Sequence, residues 1–461
     1  MLNEKKINWT ILNKILVLMF FIYFLFTVSS NLPNFYPMFI DSGTYAYVGQ
    51  QINKGKLLYR DVFEIKLPGI YYIYASIFKI FPDSRWSLYF VDILTTIFIF
   101  FFIYQIFKKF GEEKYFWIFS FFFLSSYRVY PFYCDGNLNE HWYIFFYFLF
   151  YFLIITSTSQ NKFKCFIAGF SFSYLFFLKQ NFWILNLLLL YLYSKKIKNL
   201  YFFLGFLPLT LFFTFIIFKS YPESLKAILF FPLKRYGTGK FLFSGRLKNG
   251  IMYSPLIQFL FLFILSLIKK NELQKTIFLK GLIIFFITFF LPLFYFHYLL
   301  LLVIIFVPSA IIVLKSYPRK FFIFLLLFFT IFPLRFIKIR IKHSLKALKL
   351  TIVENDLRIA SPPMTFVILS HLKENEKFIM IPTYPEIYFL TKTESPYRFF
   401  IFDDIVSRFY KEEFKKMIKE KPPDYIYLEK DISYFEDIFG LSRNEYIIKQ
   451  IDWNFYKFNL K

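Results

Sequence analysis

Long apolar runs recur along almost the whole of this 461-residue chain and constrain its fold more than any other feature. A helix of about 20 apolar residues matches the hydrocarbon core of a bilayer, which is about 30 Å thick. Because 57% of the residues are hydrophobic, we expect a mainly α-helical, polytopic membrane protein with about eleven transmembrane helices. The region 164–194 fits either two spans or one re-entrant hairpin. The expected spans cover residues 11–30, 86–107, 115–130, 140–157, 164–178, 181–194, 200–218, 251–268, 276–294, 297–314 and 320–337.

The basic residues fall mostly in short loops between these runs. If the N-terminus is cytoplasmic, the lysines at 5–6, 108–109 and 195–196 all lie on the cytoplasmic side, as the positive-inside rule requires. The net charge of +25 then reflects topology, or a biased genome composition, rather than a nucleic-acid partner. We therefore predict a multi-pass protein of the plasma (inner) membrane, with its active site and C-terminal part on the extracytoplasmic side.

Composition changes near residue 337 and suggests two domains. Residues 1–337 would form the transmembrane catalytic domain, with outer loops at 31–85 and 219–250. Residues 338–461 alternate short β-rich runs, such as 378–382 and 424–428, with helical patterns such as 402–420, as in a small extracytoplasmic α/β domain. Inside the first outer loop, turn and capping residues predict two helices, over 41–53 and 67–81.

Four charged residues of the outer loops are candidates for chemistry. Asp41 stands where a helix N-cap would lie, but it could equally act as a general base for an acceptor hydroxyl. Glu64 and Lys66 form either a surface ion pair or a site in which Glu64 meets a divalent cation or acceptor and Lys66 meets a donor phosphate. Glu140 opens a predicted span, where it either caps the helix or faces a substrate cavity.

Other polar residues lie at the ends of, or inside, predicted spans. Arg85 and Lys179 either extend to the membrane surface or bind phosphate. His297 and Tyr298 interrupt an apolar region, where an interhelical hydrogen bond is the simplest role. The sequence has no Gly-rich nucleotide-binding motif and no zinc-ligand spacing. We therefore expect no nucleotide cofactor and a donor carried by the membrane itself, and we keep a lipid-linked glycan flippase as the alternative.

The polar pattern of the first outer loop resembles that of the polyprenyl-phosphate-dependent GT-C glycosyltransferases, a superfamily that includes bacterial relatives of protein mannosyltransferases and of the lipid A aminoarabinose transferase. Two departures accompany the resemblance: Ser42 stands where many relatives carry a second acid, and Phe294-Tyr295-Phe296 stands where an arginine is often found. The resemblance spans nearly the whole chain and is most specific in the first outer loop. The matching residues are Asp41-Ser42-Gly43, Tyr45-Ala46-Tyr47, Gly55, Tyr59-Arg60-Asp61, Glu64-Ile65-Lys66-Leu67-Pro68-Gly69-Ile70-Tyr71-Tyr72, Asn139-Glu140, Gly169, Lys179, His297-Tyr298, Pro308 and Tyr384-Pro385-Glu386-Ile387-Tyr388-Phe389-Leu390-Thr391.

The resemblance implies an inverting transfer of a hexose or pentose from a polyprenyl-phosphate donor to a cell-surface glycolipid such as lipopolysaccharide, to a polysaccharide or to a protein. Asp41 would be the catalytic base and Glu140 a second acid. Glu64 would contact a divalent metal cation or the substrate. The residues implied in substrate binding are Tyr45, Tyr59, Arg60, Lys66, Arg85, Lys179, His297 and Tyr298.

Overall fold

A computed structural model of the chain divides it into two compact units. The first unit comprises Met1–Leu32, Tyr89–Phe213 and Gly239–Leu345, and the second comprises Pro33–Leu88, Thr214–Thr238 and Lys346–Lys461. Each unit is therefore built from segments that are far apart in sequence. The structure describes residues 9–128, 135–156, 161–197, 199–231, 264, 303–316, 351–354, 356–373, 375–381, 384–402, 404–452 and 454–461.

The described part of the first unit is helical. Its helices pack largely through aromatic rings, as where Phe146 of α6 stacks on Tyr174 of α7 with ring centroids 4.4 Å apart. The side chain of Asn161 caps α7 by accepting a hydrogen bond from the Lys164 amide. Helices α4 and α9 each have one end in the second unit. The helices are α1 Trp9–Ser29, α4 Arg85–Lys109, α5 Phe116–Tyr127, α6 Asn139–Thr156, α7 Lys162–Leu178, α8 Trp183–Ile197, α9 Leu200–Lys219 and α11 Val303–Ser316.

The prediction of about eleven transmembrane helices is wrong. Among the described residues, two helices are long and apolar enough to cross a membrane, namely α4 and α9. Several predicted spans fall on shorter helices: α5 has 12 residues and, at 1.5 Å per residue, reaches about 18 Å, well short of a bilayer core. The apolar stretches Val17–Ser29 and Trp183–Ser194 are also short. The predicted spans at 251–268, 276–294 and 320–337 lie outside the described residues, apart from residue 264.

The described part of the second unit mixes helices with small sheets. Helices α2 and α3 confirm the two helices predicted in the first outer loop, and Gly55 follows α2 with a φ of 86°, a backbone conformation that favours glycine. The predicted boundary at 337/338 stays a prediction. The helices are α2 Ile40–Asn53, α3 Gly69–Ile80, α10 Glu223–Leu225 with its π-helical continuation Lys226–Phe230, α12 Met364–His371, α13 Pro385–Thr391, α14 Asp404–Glu420 and α15 Ile432–Phe439.

Two small sheets complete the described part of this unit. Strands β1 and β2 form an antiparallel hairpin with Thr351 opposite Ala360. The other sheet has the order β3-β4-β6-β5; β3 pairs parallel to β4, and the remaining neighbours are antiparallel. Strands β3 and β4 fall on the predicted β-rich runs. The strands are β1 Thr351–Glu354, β2 Leu357–Ala360, β3 Phe378–Ile381, β4 Tyr425–Leu428, β5 Tyr446–Asp452 and β6 Phe455–Leu460.

Helix α2 lies at the centre of the contacts that shape the second unit. It packs against α3 on one side and α13 on another. Gly43, in the first turn of α2, permits the approach of α13, because a Cβ atom at this position would overlap Glu386. The hydroxyl of Tyr47 accepts a hydrogen bond from the Ser395 amide at 3.0 Å, so the C-terminal segment is attached directly to the helix that carries Asp41.

Candidate functional site

Asp41 and Lys66 form an ion pair in the second unit. The Lys66 Nζ atom lies 3.2 Å from Asp41 Oδ1. Asp41 lies in the first turn of α2, whose N-cap is Phe39, so the predicted capping position belongs to a different residue. The two side chains are 33% and 18% exposed, and a substrate can therefore reach both. The pair unites a carboxylate that can accept a proton with an ammonium that can bind an anion.

Tyrosine side chains hold Lys66 in place. Its ammonium lies 4.6 Å from the centre of the Tyr45 ring, a distance at which cation–π attraction operates. The hydroxyl of buried Tyr59 donates to the main-chain oxygen of Lys66 at 2.9 Å. Tyr59 has a φ of 70°, a left-handed conformation that bulky residues rarely adopt and that is often found at functional sites. Tyr45 and Tyr59 therefore support the ion pair from buried positions.

Glu64 is 3% exposed and accepts a hydrogen bond from the Tyr71 hydroxyl. Burial raises the pKa of Tyr71 well above its ordinary value, and the nearby charge of Glu64 raises it further. Tyr71 therefore stays protonated and acts as a donor. In the described part of the chain, no group of three or more His, Cys, Asp or Glu side chains could hold a metal ion. A contact between Glu64 and a divalent cation stays a prediction.

The two arginines predicted to bind substrate have protein partners. Arg60 forms an exposed ion pair with its neighbour Asp61, with 2.8 Å between Nε and Oδ1. Arg85 is buried, and its guanidinium donates to the main-chain oxygens of Pro33, Tyr36 and Ala360. Arg85 thus connects the beginning of α4 with the last residue of β2 and with the residues that precede α2.

Glu140 and Lys179 form a second ion pair, in the first unit. The Lys179 Nζ atom lies 2.6 Å from Glu140 Oε1, and both side chains are almost fully buried. The neighbouring Asn139 side chain donates to the Leu178 main-chain oxygen at 3.0 Å, which fixes the beginning of α6 against the end of α7. Burial in an apolar bundle explains why the two charges pair so closely. His297 and Tyr298 lie outside the described residues.

The structure adds two features that the sequence analysis did not assign. Tyr71 belongs to the motif that carries the resemblance but received no role there, and the structure shows that its hydroxyl donates to Glu64. In the first unit, Arg128 donates to Asp92 and to the Thr96 hydroxyl, each at 2.7 Å, and both charged side chains are buried. Each of these two charges stands alone inside an apolar run, and that pattern could have indicated a buried pair.

No protein-family model matches the chain, and no curated protein matches it either. The resemblance to the GT-C superfamily therefore remains a prediction, which rests on residues along nearly the whole chain and most specifically on those of the segment 31–85.

Proposed function

We propose that the protein is a glycosyltransferase that moves a sugar from a polyprenyl-phosphate donor to a glycolipid, polysaccharide or protein acceptor at the cell surface. The observation that carries this proposal is the partly exposed Asp41–Lys66 pair. A transferase of this kind needs a base for the acceptor hydroxyl and a cation for the leaving phosphate. Asp41 supplies the base and Lys66 the cation, and the two form an ion pair of 3.2 Å in the structure. This ion pair separates when substrates bind, because inverting attack puts the acceptor and the leaving phosphate on opposite sides of the anomeric carbon.

The reaction follows from these two groups. The Asp41 carboxylate takes the proton of an acceptor hydroxyl while the hydroxyl oxygen attacks the anomeric carbon of the donor sugar. The bond between that carbon and the phosphate oxygen breaks, and its electron pair leaves with the polyprenyl phosphate. The Lys66 ammonium stabilises the negative charge of this leaving group. Attack from the face opposite the phosphate inverts the anomeric centre.

A lipid-linked donor requires contact with a membrane, and α9 has the surface for it. Its apolar side chains point outward: Leu207, Leu211 and Phe215 are each about half exposed. We infer that α4 and α9 are the membrane-embedded helices among the described residues. Helix α4 ends at Lys108 and Lys109. The positive-inside rule then favours a cytoplasmic position for this end of α4 and an extracytoplasmic position for its beginning at Arg85.

The test compares the surface glycans of four strains by mass spectrometry: wild type, deletion, Asp41→Asn and the matched control Asp356→Asn. Asp356 lies exposed in the β1–β2 turn with a φ of 61°, which asparagine tolerates well. We expect one sugar unit to disappear in the deletion and Asp41→Asn strains and to remain in the control. In a purified assay, Asp41→Asn lowers transfer about 10²–10⁴-fold, the usual contribution of a general base.

Two results contradict the proposal. Wild-type glycans in the Asp41→Asn strain remove Asp41 from the mechanism. Accumulation of an untransferred lipid-linked precursor in the deletion strain, with normal glycans in every point variant, indicates a flippase instead.

A further inference from the structure

Arg398 is the centre of an ion cluster that joins three distant parts of the second unit. Its guanidinium forms a bidentate ion pair with the Glu413 carboxylate, with N–O distances of 2.6 and 2.8 Å. A further nitrogen donates to Glu223 Oε2 at 2.9 Å. Bidentate pairs of this kind fix geometry as well as charge. Glu223 begins α10 and Glu413 lies in α14, so one side chain connects both helices.

Aromatic rings surround the Arg398 guanidinium. Its central carbon lies 4.5 Å from the Phe399 ring centre, 5.5 Å from that of Tyr410 and 5.7 Å from that of Phe63. Phe63 also packs against Phe231, which directly follows α10 and its π-helical continuation. The rings cover much of the Arg398 side chain, which is 17% exposed, while Glu223 and Glu413 keep 21% and 36% of their side chains exposed.

The main chain of Arg398 contacts the loop that carries Glu64 and Lys66. The Phe63 amide donates to the Arg398 oxygen at 2.8 Å. Phe63 is followed directly by Glu64 and then, two residues on, by Lys66. Ser220 holds the other end of the same loop through its hydrogen bond to the Leu58 oxygen at 2.6 Å. The loop 58–66 is therefore fastened by segments that lie far from it in sequence.

We propose that Arg398 is a positioning residue for the Asp41–Lys66 site. Together with Glu223, Glu413 and Phe63 it forms what we call the Arg398 brace. The brace sets the path of the loop 58–66 and so the place of Lys66 beside Asp41 in the reaction. This inference rests on the proposed function, and it gives Arg398 no contact with substrate.

The test uses the full-length protein in detergent and measures two quantities. Hydrogen–deuterium exchange of the peptide covering 58–66 reports the Phe63–Arg398 hydrogen bond. Sugar transfer, well below the unfolding temperature, gives kcat and KM. The variant is Arg398→Met, which keeps the length and apolar packing of the side chain. The matched control is Arg443→Met, an exposed arginine of the same unit that lies 5.1 Å from the Tyr446 ring centre.

We expect Arg398→Met to accelerate exchange in 58–66 by about tenfold or more, since contacts to charged groups are lost. Displacement of the loop lowers kcat by up to about 10²-fold, with a smaller effect on KM. Arg398→Lys, which keeps the charge but not the bidentate geometry, restores part of both losses. Arg443→Met behaves as the wild type. If Arg398→Met does not accumulate as folded protein, Glu223→Gln replaces it, because this variant leaves the Glu413 contact intact.

The outcomes separate the two ideas. If the wild type transfers sugar and Arg398→Met does so at the same rate, or if exchange in 58–66 does not change, the positioning role is overturned while the transferase stands. If the wild type transfers no sugar, the proposed function fails and the positioning role fails with it. Faster exchange with lower kcat in Arg398→Met alone supports the inference.

Discussion

Replacing Arg128 by methionine tests how the first unit tolerates buried charge. The Arg128 side chain is 0% exposed and its partner Asp92 is 2% exposed. Arg128 contributes two hydrogen bonds of 2.7 Å, one to Asp92 and one to the Thr96 hydroxyl. Its removal leaves the Asp92 carboxylate buried without this cation. Removing one partner of such a pair costs about 3–5 kcal/mol.

The assay is thermal unfolding of detergent-solubilised protein, followed by tryptophan fluorescence. At about 2–4 °C per kcal/mol for a unit of this size, the loss corresponds to a fall in Tm of about 6–20 °C. The double variant Arg128→Met with Asp92→Leu replaces both charges by apolar groups of similar volume, and such exchanges are often neutral. We expect it to regain most of the lost stability. A double variant less stable than Arg128→Met would refute the reasoning, because it would show that the cost does not come from an uncompensated carboxylate.

Three further predictions concern other contacts. Tyr71→Phe removes the donor to buried Glu64 and should lower the free energy of unfolding by about 1–3 kcal/mol, measured by thermal or denaturant unfolding. Gly169→Ala places a methyl group against a main-chain oxygen of α9 and should cost about 1–3 kcal/mol in the same assay. Burial opposes ionisation of Glu223 and Glu394, but hydrogen bonds from Lys and Arg side chains outweigh it and lower their pKa values below the ordinary 4.5. The two carboxylates therefore contribute their full stabilisation above about pH 4.5, and this stabilisation is lost as the pH falls through their lowered pKa values. Glu223→Gln removes one of these groups and should make Tm depend less on pH below about pH 4.5.

Local sequence signals located the elements of the first outer loop well. Lys54-Gly55 marks the end of α2, and Pro68-Gly69 marks the beginning of α3, because these residues restrict or permit particular backbone angles. Hydropathy failed as a measure of helix length. With 75 phenylalanines in the chain, short packing helices such as α5 are as apolar as a membrane span.

Long-range pairing was the part of the site that the sequence could not reveal. Lys66 meets Asp41 across 25 residues, and Arg398 meets Glu223 across 175. Local patterns carry no information about such partners, since they depend on how whole segments pack. Arg85 shows what a local pattern leaves out: a charge at the end of a predicted span suggested a phosphate contact, which stays a prediction, and the structure adds that its guanidinium donates to three main-chain oxygens.

The solvent exposure of the side chains distinguishes the two ion pairs that are candidates for the chemistry. A base must meet its substrate, and in the described structure Asp41 keeps a third of its side chain exposed beside a partly exposed Lys66. The side chains of Glu140 and Lys179 are both buried and contact each other. Separating Lys179 from Glu140 would leave a buried carboxylate without this cation, which costs a large free energy. Chemistry at that second pair would first require the first unit to open. The Asp41–Lys66 pair needs no such step, and for this reason the proposed reaction places the proton transfer at Asp41, while a catalytic role of Glu140 stays a prediction.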